Sequence, residues 1–351
     1  MNIDKASKVR EGEELDIPIL NKYLKKDIAG FDKITEVAQF PGGFSNLTYL
    51  IKAGEKEYVL RRPPFGASAK GGHDMGREFR VLSSLKNAQY NKIPTPLSME
   101  ASGEVLGAPF YVMERLQGVI LRAKDAMNPA LTPSVMAQLC EKLIDNLADL
   151  HNLDIDSTGL AQLGKPEGYV LRQVEGWIQR YAQSQTDEIP NMEIISEWMM
   201  QYKPIEQEPA FLHNDYKFDN VVWNADLTDI IGVLDWEMST VGDPLMDLGA
   251  ALAYWCEADE PQFSKLFNLT WINGALTRKE IVEIYAGKTG RNVQDIVFYY
   301  VFGLYKNAVI MQQIYARWKK GLTQDARFSA LIHGVHELSN MAVKAINTNT
   351  I

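Results

Sequence analysis

The sequence predicts an α+β protein in which the strands come first and the helices follow. Four short segments rich in β-branched and aromatic residues, 34–40, 47–53, 57–62 and 109–114, fall within the first 114 residues. That composition suits strands of a half-buried sheet. From Thr132 onward, apolar residues recur at spacings of three and four, the period of helices with one buried face. The pattern changes at residues 115–118. The chain therefore divides into a small N-terminal unit of 1–114, with a leading helix at 15–28, a connection at 115–118 and a larger helical unit of 119–351.

The elements follow in order. Leu20, Tyr23, Leu24 and Ile28 form the apolar stripe of the leading helix, which stops before Ala29-Gly30. A helix at 75–85 interrupts the strands, with Phe79, Leu82 and Leu85 on one face. Thr132-Pro133-Ser134 opens the first long helix, since proline is tolerated in a first turn. Val135, Leu139, Leu143, Leu147 and Leu150 line it, and His151 ends it, where a cation or donor satisfies terminal carbonyls. Further helices are expected at 169–182, 194–201, 244–255, 262–273, 279–288, 293–320 and 328–346, and a short hairpin at 221–223 and 230–234. Pro244 can start its helix with Asp243 as the cap.

Bulk properties exclude several classes. The net charge is −9, which argues against a nucleic-acid or membrane-surface partner, since both rely on basic patches. Cys140 and Cys256 are the two cysteines, too few for a disulfide framework. A reducing, cytoplasmic setting is the expectation. No run of about 18 apolar residues is present to span a membrane, and the N-terminal residues carry no apolar signal-peptide core.

The chemistry concentrates in 211–247. His213, Asp215 and Asn220 stand at H-x-D-x-x-x-x-N spacing, and an apolar run ends in Asp235, twenty residues past Asp215. This spacing fits phosphoryl transfer, in which one Asp faces the acceptor hydroxyl while an Asn and a second Asp hold Mg²⁺. The hairpin brings the second carboxylate alongside. No other His or Cys lies at ligand spacing from His213, so it is not read as a metal ligand. Pro41-Gly42-Gly43-Phe44-Ser45-Asn46 lies between two strand segments. It reads either as a plain β-turn or as a loop whose amides cradle phosphate.

HNDYKFDN followed by VLDWEMSTVGDPLMDLG resembles the aminoglycoside phosphotransferase and choline kinase superfamily. More narrowly, it resembles the kinase-like domains related to, and sometimes fused to, acyl-CoA dehydrogenases. The resemblance runs from about Phe40 to the end of the chain, and departs at Asn214, where the family usually has Gly. It implies a protein-kinase-like two-lobed fold, an antiparallel sheet in the small lobe, a hinge at 115–118, and ATP and Mg²⁺ as cofactors. Asp215 would be the catalytic base and Lys217 would meet the γ-phosphate. Asn220 and Asp235 would hold metal, and Gly42, Gly43, Ser45 and Asn46 would line the phosphates. Arg61 takes the place of a phosphate-pairing Lys, with Glu78 as its partner and Arg62 as the alternative in register. Glu114 precedes the backbone that would meet adenine, and Asp247 would brace the catalytic loop. Glu237 stands between a metal- or water-assisting role and a surface one.

The acceptor is expected to be a small molecule. Residues 251–351 carry 11 Lys and Arg against 8 Asp and Glu, leaving −12 for the first 250 residues. Local basic charge favours an anionic alcohol over a polycation such as an aminoglycoside, although the same charges also suit a solvated surface. The resemblance points the same way, to a 4-hydroxyacyl-CoA. Choline, homoserine and antibiotics remain alternatives, as does a non-catalytic ATP-binding scaffold. Two other patterns carry no site. Gly287-Lys288-Thr289 lacks the first glycine of a phosphate loop, residue 282 being Val, and HGVHE at 333–337 lacks a third ligand.

Overall fold

The computed structural model describes residues 5–40, 46–66, 74–202, 204–323 and 325–351. The chain groups into two compact units, Met1–Ile120 with Asp156–Leu160 and Asn220–Ser239, and Leu121–Ile155 with Ala161–Asp219 and Thr240–Ile351.

The first unit is built on a five-stranded antiparallel sheet. Its strands are β1 (Ile34–Gln39), β2 (Leu47–Ala53), β3 (Lys56–Arg62), β4 (Pro96–Glu100) and β5 (Phe110–Glu114), in the order β1-β2-β3-β5-β4. Helix α1 (Ile17–Asp27) is capped by Asp16, whose side chain accepts from the Ile19 N–H. It contributes Leu20 and Leu24 to a core shared with Leu47, Ile51, Leu60 and Val112. Helix α2 (Met75–Asn87) starts on a second such cap, Asp74. Strand β4 has little β-branched content and opens on Pro96, so the sequence gives no signal for it. Proline is tolerated as the first residue of an edge strand, and pairing with β5 supplies the order.

The hairpin of β7 (Val221–Trp223) and β8 (Ile230–Val233) belongs to this unit. Its backbone is tied in twice: Val119 and Trp223 exchange hydrogen bonds at 2.8 Å, and the Val233 N–H donates to the Lys92 carbonyl at 2.8 Å. Gly118 permits this approach, since a Cβ there would lie 2.3 Å from the Trp223 carbonyl oxygen.

The second unit is mostly helical. It holds α3 (Pro133–His151), α4 (Tyr169–Ser184), α5 (Pro190–Gln201), α6 (Pro244–Tyr254), α7 (Gln262–Lys265), α8 (Arg278–Thr289), α9 (Ile296–Lys319) and α10 (Leu331–Thr348). Two three-residue strands, β6 (Ala210–Leu212) and β9 (Thr240–Gly242), pair antiparallel. Asp243 caps α6 as expected, accepting from the Leu245 N–H. Helices α6 and α9 touch backbone to backbone, and a Cβ on Gly249 would lie 2.1 Å from the Tyr299 carbonyl oxygen. The helix expected at 262–273 is corrected. It ends at Lys265 because the Asn268 amide takes the Ser264 carbonyl at 2.9 Å and Thr270 exchanges hydrogen bonds with the Cys256 backbone. Side-chain bonds of this kind compete with the helical ladder. Among the described residues, no helix is long and apolar enough to cross a membrane.

Candidate active site

Two groups of side chains account for the motif residues, one in each unit. In the first unit, Arg61 lies near the end of β3 opposite Tyr111. Its Nη1 donates to Glu78 Oε1, and its Nη2 lies 3.4 Å from Asp235 Oδ1. Glu78 is buried in the first turn of α2. Burial alone would lower the Arg61 pKa, but the charges of Glu78, Asp235 and Glu237, with Tyr111, outweigh it and raise it well above the ordinary value. A permanent cation therefore sits beside Asp235. Arg62 points elsewhere, donating to the Pro63 and Leu106 carbonyls with its guanidinium 3.9 Å from the Phe65 ring centre.

Asp235 directly follows Leu234 after β8 and has φ +66°, a left-handed conformation that a short polar side chain tolerates. The Leu234 N–H donates to the Asn220 carbonyl at 2.8 Å, so the two candidate metal ligands lie on neighbouring backbone. Trp236 is packing: it is buried, its Nε1 donates to the Val233 carbonyl at 3.0 Å, and its ring meets Tyr90 edge-on. Arg77 ties the segment to α2 by donating to the Ser239 carbonyl at 2.6 Å. Asn46 donates to Glu237 Oε2 at 3.2 Å, which places Glu237 beside the start of β2. Gly42, Gly43 and Ser45 lie outside the described residues. Glu114 ends β5 with its carboxylate exposed, 3.4 Å from the Thr95 N–H.

The donor chemistry here fits Mg²⁺. This ion takes oxygen ligands, often only one or two from the protein, with phosphate and water completing the shell. Asn220 and Asp235 supply such a pair. Among the described residues no cluster of three or more His, Cys, Asp or Glu forms a closed cage.

In the second unit, Asp215 Oδ1 accepts from the Tyr254 hydroxyl at 2.7 Å, and Lys217 Nζ lies 3.0 and 2.9 Å from the two carboxylate oxygens. Burial alone would raise its pKa. The charges of Lys217 and Lys306 and the hydrogen bonds from Lys217 and Tyr254 outweigh that and hold it below the usual Asp value. Asp215 is thus ionised at neutral pH, as a hydroxyl-orienting carboxylate must be.

The loop before Asp215 is held from all sides. Fully buried Asp247 accepts from the backbone N–H groups of His213 at 2.6 Å and Asn214 at 2.8 Å. The His151 ring bridges Asp247 Oδ2 (3.2 Å) and the Tyr285 hydroxyl (2.7 Å). His151 therefore corrects its expected role: its ring braces the loop instead of capping its own helix. His213 Nδ1 accepts from the Asp215 N–H at 3.2 Å. Asn214 has a left-handed φ of +65°, and its side chain pairs with the Tyr169 hydroxyl at 3.1–3.3 Å. Lys306 is buried in α9 and its Nζ donates to the Asn214 carbonyl.

The sequence reading missed Tyr254 and Lys306. Lys306 had a signal: a lone charge within the apolar run VFGLYKNAVI needs a buried partner. Tyr254 had none, being one aromatic among several. The expected anion-attracting charge is also corrected in part. Lys306 is internal, Arg278 pairs with Glu260 at 2.6 Å, Lys288 with Asp145 at 2.7 Å, and Lys319 with Asp187 at 2.8 Å. Arg317 and Lys320 remain exposed.

A loss follows for the brace. Asp247→Ala strands two buried N–H groups and His151, and is expected to destabilise the protein by about 3–5 kcal/mol, read from the denaturant midpoint. The pH dependence has a definite sign. The His151 hydrogen bond and the His151 and His213 imidazoles outweigh burial and depress the Asp247 pKa. Its contribution is therefore full above the unfolded value of about 4 and is lost as pH falls below that. Asp247→Asn should flatten this acid limb.

Fold and site side chains together define a kinase-like phosphotransferase. The sequence model of the phosphotransferase enzyme family matches residues 36–279, more than half of the chain, and the chain belongs to that family. It is 34% identical to acyl-CoA dehydrogenase family member 11 of Rattus norvegicus over 88% of this chain and 40% of the relative. It is 27% identical to a probable acyl-CoA dehydrogenase of Arabidopsis thaliana, over 91% and 41%. The chain thus spans less than half the length of these relatives. Among solved structures, a putative aminoglycoside phosphotransferase from Ralstonia eutropha superposes with TM-score 0.82 at 27% identity, covering 95% of this chain and 99% of the other. A choline kinase from Cryptosporidium parvum gives 0.60 at 14% identity over 95% and 99%, a likeness of fold.

Proposed function

We propose that this chain is a Mg·ATP-dependent phosphotransferase acting on the hydroxyl of a small, anionic or amphipathic alcohol, with 4-hydroxyacyl-CoA as the candidate acceptor. Mg·ATP, when bound, supplies the γ-phosphoryl group and the charge that neutralises it. Asn220 and Asp235 are the metal-holding residues in this reading. Arg61, positioned by Glu78, counters phosphate charge. Asn46, with Gly42, Gly43 and Ser45, borders the phosphates, and the chain after Glu114 meets adenine. Asp215 orients the acceptor hydroxyl and takes its proton as the oxygen bonds to phosphorus and the bond to the ADP oxygen breaks. Lys217 stabilises the charge that develops.

One observation carries the acceptor class. Lys217 and Tyr254, the two groups that hold Asp215, also line a cavity of about 190 Å³ whose walls include Phe263, Met311, Leu338 and Met341. Its acidic residues, Glu260 and Asp219, are matched by two basic ones, Lys217 and Arg278. Glu260 is paired with Arg278, and burial pushes the Asp219 carboxyl up. Such walls suit an apolar chain better than a polyamine. The family relationship to acyl-CoA dehydrogenase family members supports the same choice.

The test is Mg²⁺-dependent ADP release against 4-hydroxyacyl-CoAs, choline, homoserine and kanamycin. Stimulation by the acyl-CoAs alone is expected; stimulation by choline or kanamycin instead would replace this acceptor with theirs. Asp235→Ala should weaken Mg·ATP binding about tenfold or more, measured by calorimetry, because the remaining Asn220 carries no charge for the ion.

A further inference from the structure

The cavity beside Lys217 and Tyr254 has a buried amide in its wall. Asn307 is 6% exposed and lines the cavity, and its Oδ1, itself shut off from solvent, has no hydrogen-bond partner among the described residues. Buried side-chain amides are normally satisfied, because stranding one costs its full desolvation penalty. Asn307, Ile310 and Met311 fall at i, i+3 and i+4 on α9, and Leu338 and Met341 at i and i+3 on α10, so each helix turns one stripe to the cavity. With Phe263 these side chains make an apolar stretch of the wall, and the rest of the lining includes Lys217, Asp219, Glu260 and Arg278. Gly334 keeps it narrow: a Cβ there would lie 2.4 Å from Phe263 and 2.6 Å from the Met311 sulfur.

We propose that this cavity is the subsite for the apolar chain of the acceptor, that Asn307 hydrogen-bonds an O–H or N–H group of the acceptor molecule, and that Met311 and Met341 set the chain length accepted. The inference rests on the reading of the protein as a phosphotransferase for a chain-bearing alcohol, and adds where the chain lies and what measures it. Methionine is suited to the task, since its flexible thioether adapts to chains of differing shape.

The experiment compares a short and a long 4-hydroxyacyl-CoA with Met311→Trp, which fills the cavity, and Asn307→Leu, which removes the amide at similar size. Circular dichroism and ATP affinity serve as folding controls. Steady-state ADP release and calorimetric acceptor binding without ATP are the two readouts. Met311→Trp is expected to lower kcat/KM for the long chain about tenfold or more relative to the short one, the order produced by a misfit of one or two methylenes. Asn307→Leu is expected to raise the acceptor KM about tenfold with the KM for ATP unchanged. Equal effects of Met311→Trp on both chains, or an unchanged acceptor KM in Asn307→Leu, would overturn the subsite, the latter meaning that buried water satisfies the amide. If neither chain is phosphorylated but the length-dependent binding is lost in Met311→Trp, the subsite stands and the reaction assigned above falls. If neither chain binds wild type, both fall.

Discussion

Asp215→Asn is expected to lower kcat by about 10²–10⁴-fold while leaving the affinity for Mg·ATP within a factor of a few. The substitution keeps size and an acceptor oxygen for Tyr254, so the loop should remain in place. It removes the carboxylate that takes the proton in the proposed reaction, and leaves Lys217 without this ionic partner. The pH profile gives an independent check. With the Asp215 pKa held below the usual carboxylate range by Lys217, Lys306 and Tyr254 against the pull of burial, the base is ionised above about pH 4. Wild-type kcat/KM should therefore show no acid limb assignable to a base between pH 5 and pH 7, each an order-of-magnitude bound on that titration. Activity of Asp215→Asn equal to wild type would remove Asp215 from the mechanism.

Glu78→Ala is expected to have the next largest effect. It leaves the guanidinium of Arg61 buried with only the longer contact to Asp235. Breaking a buried pair from one side costs about 3–5 kcal/mol, visible as a lower denaturant midpoint. The affinity for ATP should fall as well, since Arg61 is then drawn toward Asp235. The double variant Arg61→Met with Glu78→Leu separates the two effects. Well-packed apolar side chains can replace a buried pair at little cost, so this variant should recover most of the stability and none of the nucleotide affinity. Recovery of both would show the pair to be structural alone.

The fold was legible where local patterning decides it. Apolar stripes marked α1, α2 and α3, and alternating β-branched residues marked β1, β2, β3 and β5. Strand β4 was not legible, because its order comes from pairing with β5 and not from its own composition. The helix beginning at Gln262 was overextended because its end depends on Thr270 reaching back to Cys256, a contact between residues fourteen apart that periodicity does not register. The motif residues were legible because their spacing is short: Asp215 with Lys217 on one loop, and Asn220 with Asp235 across one hairpin. Strand alternation turns Arg61 toward Glu78 and Arg62 toward the Leu106 carbonyl, a contrast that adjacent arginines do not show in sequence. Tyr254, Lys306 and the His151 brace join the catalytic loop from three separate helices. Nothing within a window of twenty residues announces that, although a single lysine inside an apolar helix was a sign that a buried acceptor awaited it.

The most direct measurement is the mass of the product formed when wild type and Asp215→Asn are incubated with Mg·ATP and a 4-hydroxyacyl-CoA. The account predicts a monophosphorylated acyl-CoA formed together with ADP by wild type, and at least about a hundredfold less of both by the variant. ADP formation without a phosphorylated acceptor, or equal product from the two proteins, would contradict it.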